Sequence, residues 1–257
     1  MSDIISNIVY TPSGRGFQYA LYSHIGSRPV NEDSCAVQGG SFLTGFFLCD
    51  GLGGHGMGDQ ASQLVIRSLT EDIMNAADPD SFIPAAFENA QAKLLQEQKR
   101  LRAEQKMKTT ATAVVSDGKK VSIGHIGDSR IYLWKRGKIR KRTLDHSVTQ
   151  MMVLSHEIRD EEIRNHPDRS LLLRVMGTEW DEPKYEVMKP QRFGKYDAFL
   201  LCSDGFWELI TEKEMEQCMK ESSDTADWLG RMISLVFQNG AGKNMDNNTA
   251  IAVKILK

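Results

Sequence analysis

The chain has 257 residues, 40% of them hydrophobic and 26% charged, with a formal net charge of -2. That is enough apolar material for a sizeable core, and the charge balance gives no bulk attraction to nucleic acid or to an anionic membrane. The segment Met1 to Gly16 lacks the basic-then-apolar order of a secretory signal, and no run approaches the ~18 apolar residues of a bilayer span. The four cysteines, Cys35, Cys49, Cys202 and Cys218, form no Cys-x-x-Cys pair. Reduced thiols and a cytoplasmic protein are the expectation, with Cys49 and Cys202 in the core.

In chain order, Phe17 to His24, Asp33 to Gln38 and Ser41 to Cys49 read as strands separated by turn residues. From Asp59 to Asn75 the apolar period becomes helical, with Ala61, Leu64, Val65, Ser68 and Leu69 on one stripe. Asp78-Pro79 breaks it, and Ser81 to Met107 predicts a longer helix. Strands return at Thr109 to Ser116, Lys120 to Ile126 and Ser129 to Trp134. Lys135-Arg136-Gly137 is a hairpin turn into Lys138 to Arg142, and this basic stretch reads as a solvated face, not a nucleic-acid site. The polar segment from Ser147 to Trp180 reads as an inserted subdomain. Strands follow at Lys184 to Lys189 and Ala198 to Cys202. Next comes a helix from Thr211 to Lys220, where Thr211 and Glu214 make a capping box. A second helix, Asp224 to Gln238, ends at Asn239-Gly240, and Ala250 to Leu256 is a last strand. Segregated blocks of strands and helices argue for α+β, with two antiparallel sheets face to face, each covered by a helix pair.

Three apolar runs end in an aspartate beside glycine: Asp50-Gly51, Gly127-Asp128 and Asp204-Gly205. Glu32-Asp33 and Asp246 add two acidic spots at strand edges. A single aspartate at a strand end is an ordinary turn former. Five such spots are harder to assign to turns, and if they converge, the carboxylates must protonate or bind cations. All-oxygen ligation suits hard ions, Mn2+ or Mg2+, and two such ions roughly 3.5–4 Å apart activate water and stabilise charge on a phosphoryl group. The six histidines show no pair at zinc-ligand spacing. Gly51 to Gly56 fits a dinucleotide-binding glycine pattern, but no second parallel strand follows its helix. A P-loop fails because Asp59 replaces the lysine, and a cysteine phosphatase fails because no arginine stands six residues after any cysteine.

Arg28, Asn31-Glu32-Asp33, Asp50-Gly51-Leu52-Gly53-Gly54-His55, Thr109 to Thr112 and Gly127-Asp128-Ser129-Arg130 occur in order. Asp145-His146-Ser147, Arg174-Val175-Met176-Gly177, Ser203-Asp204-Gly205 and Asp246-Asn247-x-Thr249 follow. Together they resemble the PPM family of metal-dependent protein serine/threonine phosphatases, type 2C, in its bacterial form. The resemblance spans about Tyr19 to Lys254. It implies a four-layer αββα sandwich over residues 1–257, with a flap at 147–182. It also implies two core cations: Asp50 bridges them, the Gly51 carbonyl binds one, Asp204 and Asp246 hold one, and Glu32 holds the other through waters. Asp128 would join Asp204 at a third, weaker ion. Asp33 would orient a metal-bound water, and Arg28 would grip the substrate phosphate, for which a guanidinium fork is suited. Otherwise Arg28 is a surface ion-pair partner of Glu32 or Asp33. His55 stands three residues beyond the place where animal members carry a histidine proposed as general acid, so it is either that acid or a structural residue. His125 reads as a core residue and His146 as one that fixes the turn after Asp145.

The implied reaction is in-line attack on phosphoserine or phosphothreonine by a metal-bridged hydroxide, without a phosphoenzyme. Phosphorylated proteins are the expected partners, with an opposing serine/threonine kinase implied by the family and neither nucleic acid nor membrane expected. Two alternatives stand beside this: a phosphatase-like module that binds phosphoproteins with little turnover, and a metal-dependent hydrolase of small phosphomonoesters.

Overall fold

A computed structural model of the chain describes residues 4–52, 56–103 and 105–256. Two antiparallel sheets stack face to face. The five-stranded sheet contains β3 (Asp33–Gly39), β4 (Thr44–Asp50), β5 (Ala111–Ser116), β6 (Lys120–Ile126) and β9 (Glu186–Arg192), in the order β3-β4-β5-β6-β9. The six-stranded sheet contains β1 (Ile5–Tyr10), β2 (Gly16–His24), β7 (Arg130–Lys135), β8 (Lys138–Arg142), β10 (Ala198–Cys202) and β11 (Asn248–Ile255), in the order β1-β2-β11-β10-β7-β8.

The alternation of side chains along each strand builds the layers. On β4, Phe46 and Leu48 enter the core between the sheets, where they meet Phe17, Phe199, Leu201 and Ile251. The intervening Phe47 and Cys49 face outward and pack with residues of α1 (Gly58–Asp72) and α2 (Pro79–Leu101). On β10, Phe199 and Leu201 face inward, while Leu200 and Cys202 pack with α5 (Glu212–Glu221) and α6 (Thr225–Gly240). A strand buried on both faces needs apolar residues at every position, which is why these runs are unbroken. The result is the αββα sandwich expected from the block order.

Several boundaries differ from the sequence reading. β1 was not anticipated, because Ile5 to Ile8 are solvent-exposed and only pairing with β2, from Ile5↔Leu21 to Tyr10↔Gly16, defines the strand. α2 stops at Leu101, not Met107. Arg102 adopts φ 55, and its N–H bonds the Gln98 and Lys99 carbonyls, which closes the helix in a left-handed cap. α1 already stops at Asp72, so Asp78-Pro79 does not break it but starts α2. The Asp78 carboxylate accepts from the Asp80 and Ser81 N–H groups, and Pro79 occupies the first helical turn. A single helical turn, α4 (Asp204–Trp207), also went unpredicted. The capping box at Thr211 and Glu214 is present.

The inserted segment holds α3 (Val148–Leu154) and a 3-10 helix at Asp160–Asn165. It is tied down by bridges Ser147↔Leu172 and Thr109↔Met176. Behind it lies a buried ion pair. Arg130 donates through Nε to Asp145 Oδ1 at 2.9 Å and through Nη2 to Oδ2 at 2.7 Å, with both side chains 1% exposed. The same guanidinium lies 3.4 Å from the centroid of the Trp207 ring, and Trp207 Nε1 donates to the Asp128 carbonyl at 3.1 Å.

Candidate metal centre

Strand ends deliver the acids. Asp33 opens β3 and Asp50 closes β4, and the two are cross-strand partners. Asp128 sits in the turn from β6 to β7, Asp204 starts α4 directly after β10, and Asp246 precedes β11. Because β4 and β10 belong to different sheets, their ends meet only when the sheets stack. Arg28, Glu32, Asp50, Gly51, Asp128, Asp204 and Asp246 then line one cavity of about 610 Å3. Ser170 to Leu173 of the inserted segment form its other wall. Asp33 lies behind the lining, 7% exposed.

Backbone bonds hold the acids in place. Gly51 N–H donates to the Glu32 carbonyl at 3.1 Å, and Asp50 N–H donates to Thr110 Oγ1 at 2.9 Å. Asn247 Oδ1 accepts from the Glu32 N–H at 2.8 Å, while its Nδ2 donates to the Ile25 and Val30 carbonyls at 2.8 and 3.0 Å. That one amide therefore fixes the Arg28 to Glu32 loop beside Asp246. Two glycines permit the convergence. A Cβ on Gly51 would sit 2.2 Å from the Gly58 carbonyl oxygen, and one on Gly205 would sit 2.2 Å from that of Asn247.

The electrostatics are those of crowded anions. Burial, then the charges of Asp33, Asp204, Asp128 and Asp246, push the Asp50 carboxyl well above its usual range. Burial and Asp204 do the same to Asp128, and burial and Asp246 raise Asp204. Glu32 is raised by burial and then by Asp59. Asp33 is pushed up to about 7, chiefly by burial, although the hydroxyls of Thr249 and Ser203 oppose this. Ser203 Oγ donates to Asp33 Oδ2 at 2.8 Å, whereas Oδ1 is buried without a hydrogen-bond partner. The cation nearest at hand is Arg28, whose Nη2 lies 2.6 Å from Asp246 Oδ2. Lys108 also lines the cavity, but two cations do not balance Glu32, Asp50, Asp128, Asp204 and Asp246. Carboxylates, a backbone carbonyl at Gly51 and an unpartnered buried oxygen at Asp33 fit hard divalent cations.

Arg28 thus makes an ion pair with Asp246 and not with Glu32 or Asp33. His55 lies outside the described residues. Sequence reasoning missed Glu208, which pairs with Arg169 at 2.8 Å and whose carboxyl is pushed up to about 7 by burial and Asp204. It stands on no strand end and carries no spacing signal. Two histidines 21 positions apart do meet: the His125 and His146 rings stack at 4.6 Å, with a ligand atom of each within 4.8 Å of one on Glu186. However, His125 Nε2 donates to the Leu144 carbonyl and His146 Nδ1 accepts from the Gly127 N–H. Neutral His146 therefore carries its proton on Nε2, 3.4 Å from Glu186 Oε1, and offers no lone pair there for a metal.

A sequence model of the family described as "Protein phosphatase 2C" matches residues 22–245. The chain belongs to the protein phosphatase 2C family. It is 31% identical over 230 residues to the serine/threonine protein phosphatase PstP of Mycobacterium tuberculosis, a match that covers 89% of this chain and 43% of PstP. The chain thus spans less than half the length of that relative. The crystal structure of the serine/threonine phosphatase Stp1 from Staphylococcus aureus superposes with a TM-score of 0.85 at 26% identity, covering 93% of this chain and 95% of that one. A PstP catalytic domain in complex with two manganese ions superposes with a TM-score of 0.78 at 29% identity, covering 94% and 99%.

Proposed function

We propose that this chain hydrolyses phosphoserine and phosphothreonine in proteins, as one domain with 147–182 as its flap. The observation that carries the reading is the convergence of Asp50, Asp128, Asp204 and Asp246, from both sheets, around one cavity. The manganese found in the PstP catalytic domain supports Mn2+ or Mg2+ as the cofactor. Asp50, Asp204 and Asp246, with Glu32 and the Gly51 carbonyl, would hold two ions, and Asp128 with Asp204 a third. Bound there, the ions supply acidified water and neutralise charge growing on the phosphoryl oxygens.

The chain's own groups supply the rest. Arg28, with a half-exposed side chain at the rim, binds two phosphate oxygens through its guanidinium fork. Asp33 Oδ1, buried and unpartnered, is the acceptor available to orient the attacking water. The new P–O bond forms in line with the breaking bond to the serine or threonine oxygen. The leaving oxygen takes a proton from water or from His55.

The deciding experiment compares a phosphothreonine peptide, a small phosphorylated metabolite and an aryl phosphate, each with and without Mn2+. Mn2+-dependent turnover that favours the peptide is expected. Aryl phosphate without any turnover would replace this reading with a binding module. Preference for the metabolite would replace it with a small-molecule phosphomonoesterase.

Arg28→Ala is expected to raise KM for a phosphopeptide about tenfold, more than it lowers kcat, because it removes a charge-assisted contact made in the ground state. Steady-state kinetics check this, and an unchanged KM removes Arg28 from substrate binding.

A further inference from the structure

A second cavity, of about 370 Å3, adjoins the first, and Arg28 and Asp246 line both. Its character is opposite. Arg28, Arg164, Arg169 and Lys243 line it, against only Glu208 and Asp246. Both carboxylates are already engaged, Glu208 with Arg169 at 2.8 Å and Asp246 with Arg28 at 2.6 Å. Arg164 is held from behind. Its Nε donates to the Trp207 carbonyl at 3.1 Å, and its Nη2 donates to the Ile210 carbonyl at 3.2 Å and to Glu212 at 2.7 Å.

That leaves donors in excess. Among the described residues, no hydrogen bond engages Arg164 Nη1, Arg169 Nη2, Lys243 Nζ or the side-chain amide of Asn165, which also lines the cavity. The Arg164 side chain is only 10% exposed, so its guanidinium is fixed before any ligand arrives. One free nitrogen on each of two guanidiniums, Arg164 Nη1 and Arg169 Nη2, with a flanking lysine and amide, offers separate donors to the oxygens of a phosphate or carboxylate.

We propose that this cavity is a second anion subsite, which takes another acidic group of the same substrate, a carboxylate or a second phosphate. This rests on the phosphatase reading of the neighbouring cavity. The shared wall at Arg28 and Asp246 places the second anion one to three residues from the phosphorylated serine or threonine, since an extended chain advances roughly 3.3–3.6 Å per residue. Substrates with acidic or doubly phosphorylated segments are thereby selected over neutral ones.

The test measures kcat/KM with Mn2+ for phosphothreonine peptides whose flanking positions are neutral, carry one aspartate, or carry one further phosphothreonine, scanned over three residues on either side. At the matching position the acidic peptide is expected to exceed the neutral one about tenfold, the gain of one well-formed charge-assisted contact. A gain with aspartate assigns carboxylate as sufficient, and a gain confined to the second phosphate assigns phosphate. Lys243→Glu and Arg164→Gln should each bring the ratio below about twofold. The Lys243 side chain is exposed, so its replacement leaves the fold intact even if the Arg164 variant does not fold. A ratio near one at every position, or a preference unmoved in Lys243→Glu, overturns the subsite. If no peptide is turned over, the phosphatase reading has failed. The subsite is then judged by anisotropy of labelled peptides, where equal affinity for doubly and singly anionic peptides overturns it.

Discussion

Asp204→Asn is expected to lower kcat for phosphothreonine peptide by about 100-fold or more while the fold survives. Substitutions that only orient a metal ligand already cost 10–100-fold, and this one alters a proposed ligand itself. The asparagine Oδ1 can keep the bond that Asp204 Oδ1 accepts from the Gly205 N–H at 2.6 Å, so α4 should still start correctly. Removing one charge from the crowded set with Asp50 and Asp246 should also raise the melting temperature without metal, because the folded state loses like-charge repulsion. Added Mn2+ should then stabilise the variant less than the parent, since ligand stabilisation scales with occupancy of the folded state. Turnover matching the parent, or an undiminished Mn2+ shift, would remove Asp204 from the metal set.

The second large effect concerns stability. Asp145→Ala leaves Arg130, 1% exposed, as a buried charge without its bidentate partner, and Arg142 Nη1 also loses the carboxylate 3.5 Å away. Breaking a buried pair by removing one member costs about 3–5 kcal/mol. In urea unfolding the midpoint should fall with little change in slope, since the same surface is exposed. Activity should fall too at temperatures where the variant is folded. The Arg130 guanidinium packs on Trp207, and Trp207 Nε1 holds the Asp128 carbonyl, so the disturbance reaches the acid cavity through two contacts. A loss below about 1 kcal/mol would show that the pair contributes no more than a surface bridge. Replacing both residues together with apolar ones of similar volume should recover most of the loss, which distinguishes an orphaned charge from a lost contact.

The strands most visible in the sequence, β4 and β10, are those buried on both faces, because continuous apolar runs need no context to be recognised. β1 was invisible for the converse reason: its residues face water, and its strand geometry comes from hydrogen bonds to β2. The end of α2 was overshot because Arg102 is a poor signal for a left-handed cap that glycine would have announced. Among site residues, the aspartates at strand ends were legible as a recurring local pattern. Glu208 and the basic wall of the second cavity were not: Arg28 was legible as a phosphate ligand, but Arg164, Arg169 and Lys243 carry no local signal until the inserted segment and the loop before β11 come together beside α4.

From its sequence alone this chain is an α+β sandwich whose strands end in acids, because apolar periodicity and the chemistry of a strand terminus are local properties. Only the tertiary structure decided that those ends share one cavity, that Arg28 faces Asp246, that His125 meets His146 without offering a metal site, and that a cationic recess lies beside the acidic one. Those facts depend on which sheet edges are stacked together, and packing between distant segments leaves no mark in any single stretch of sequence.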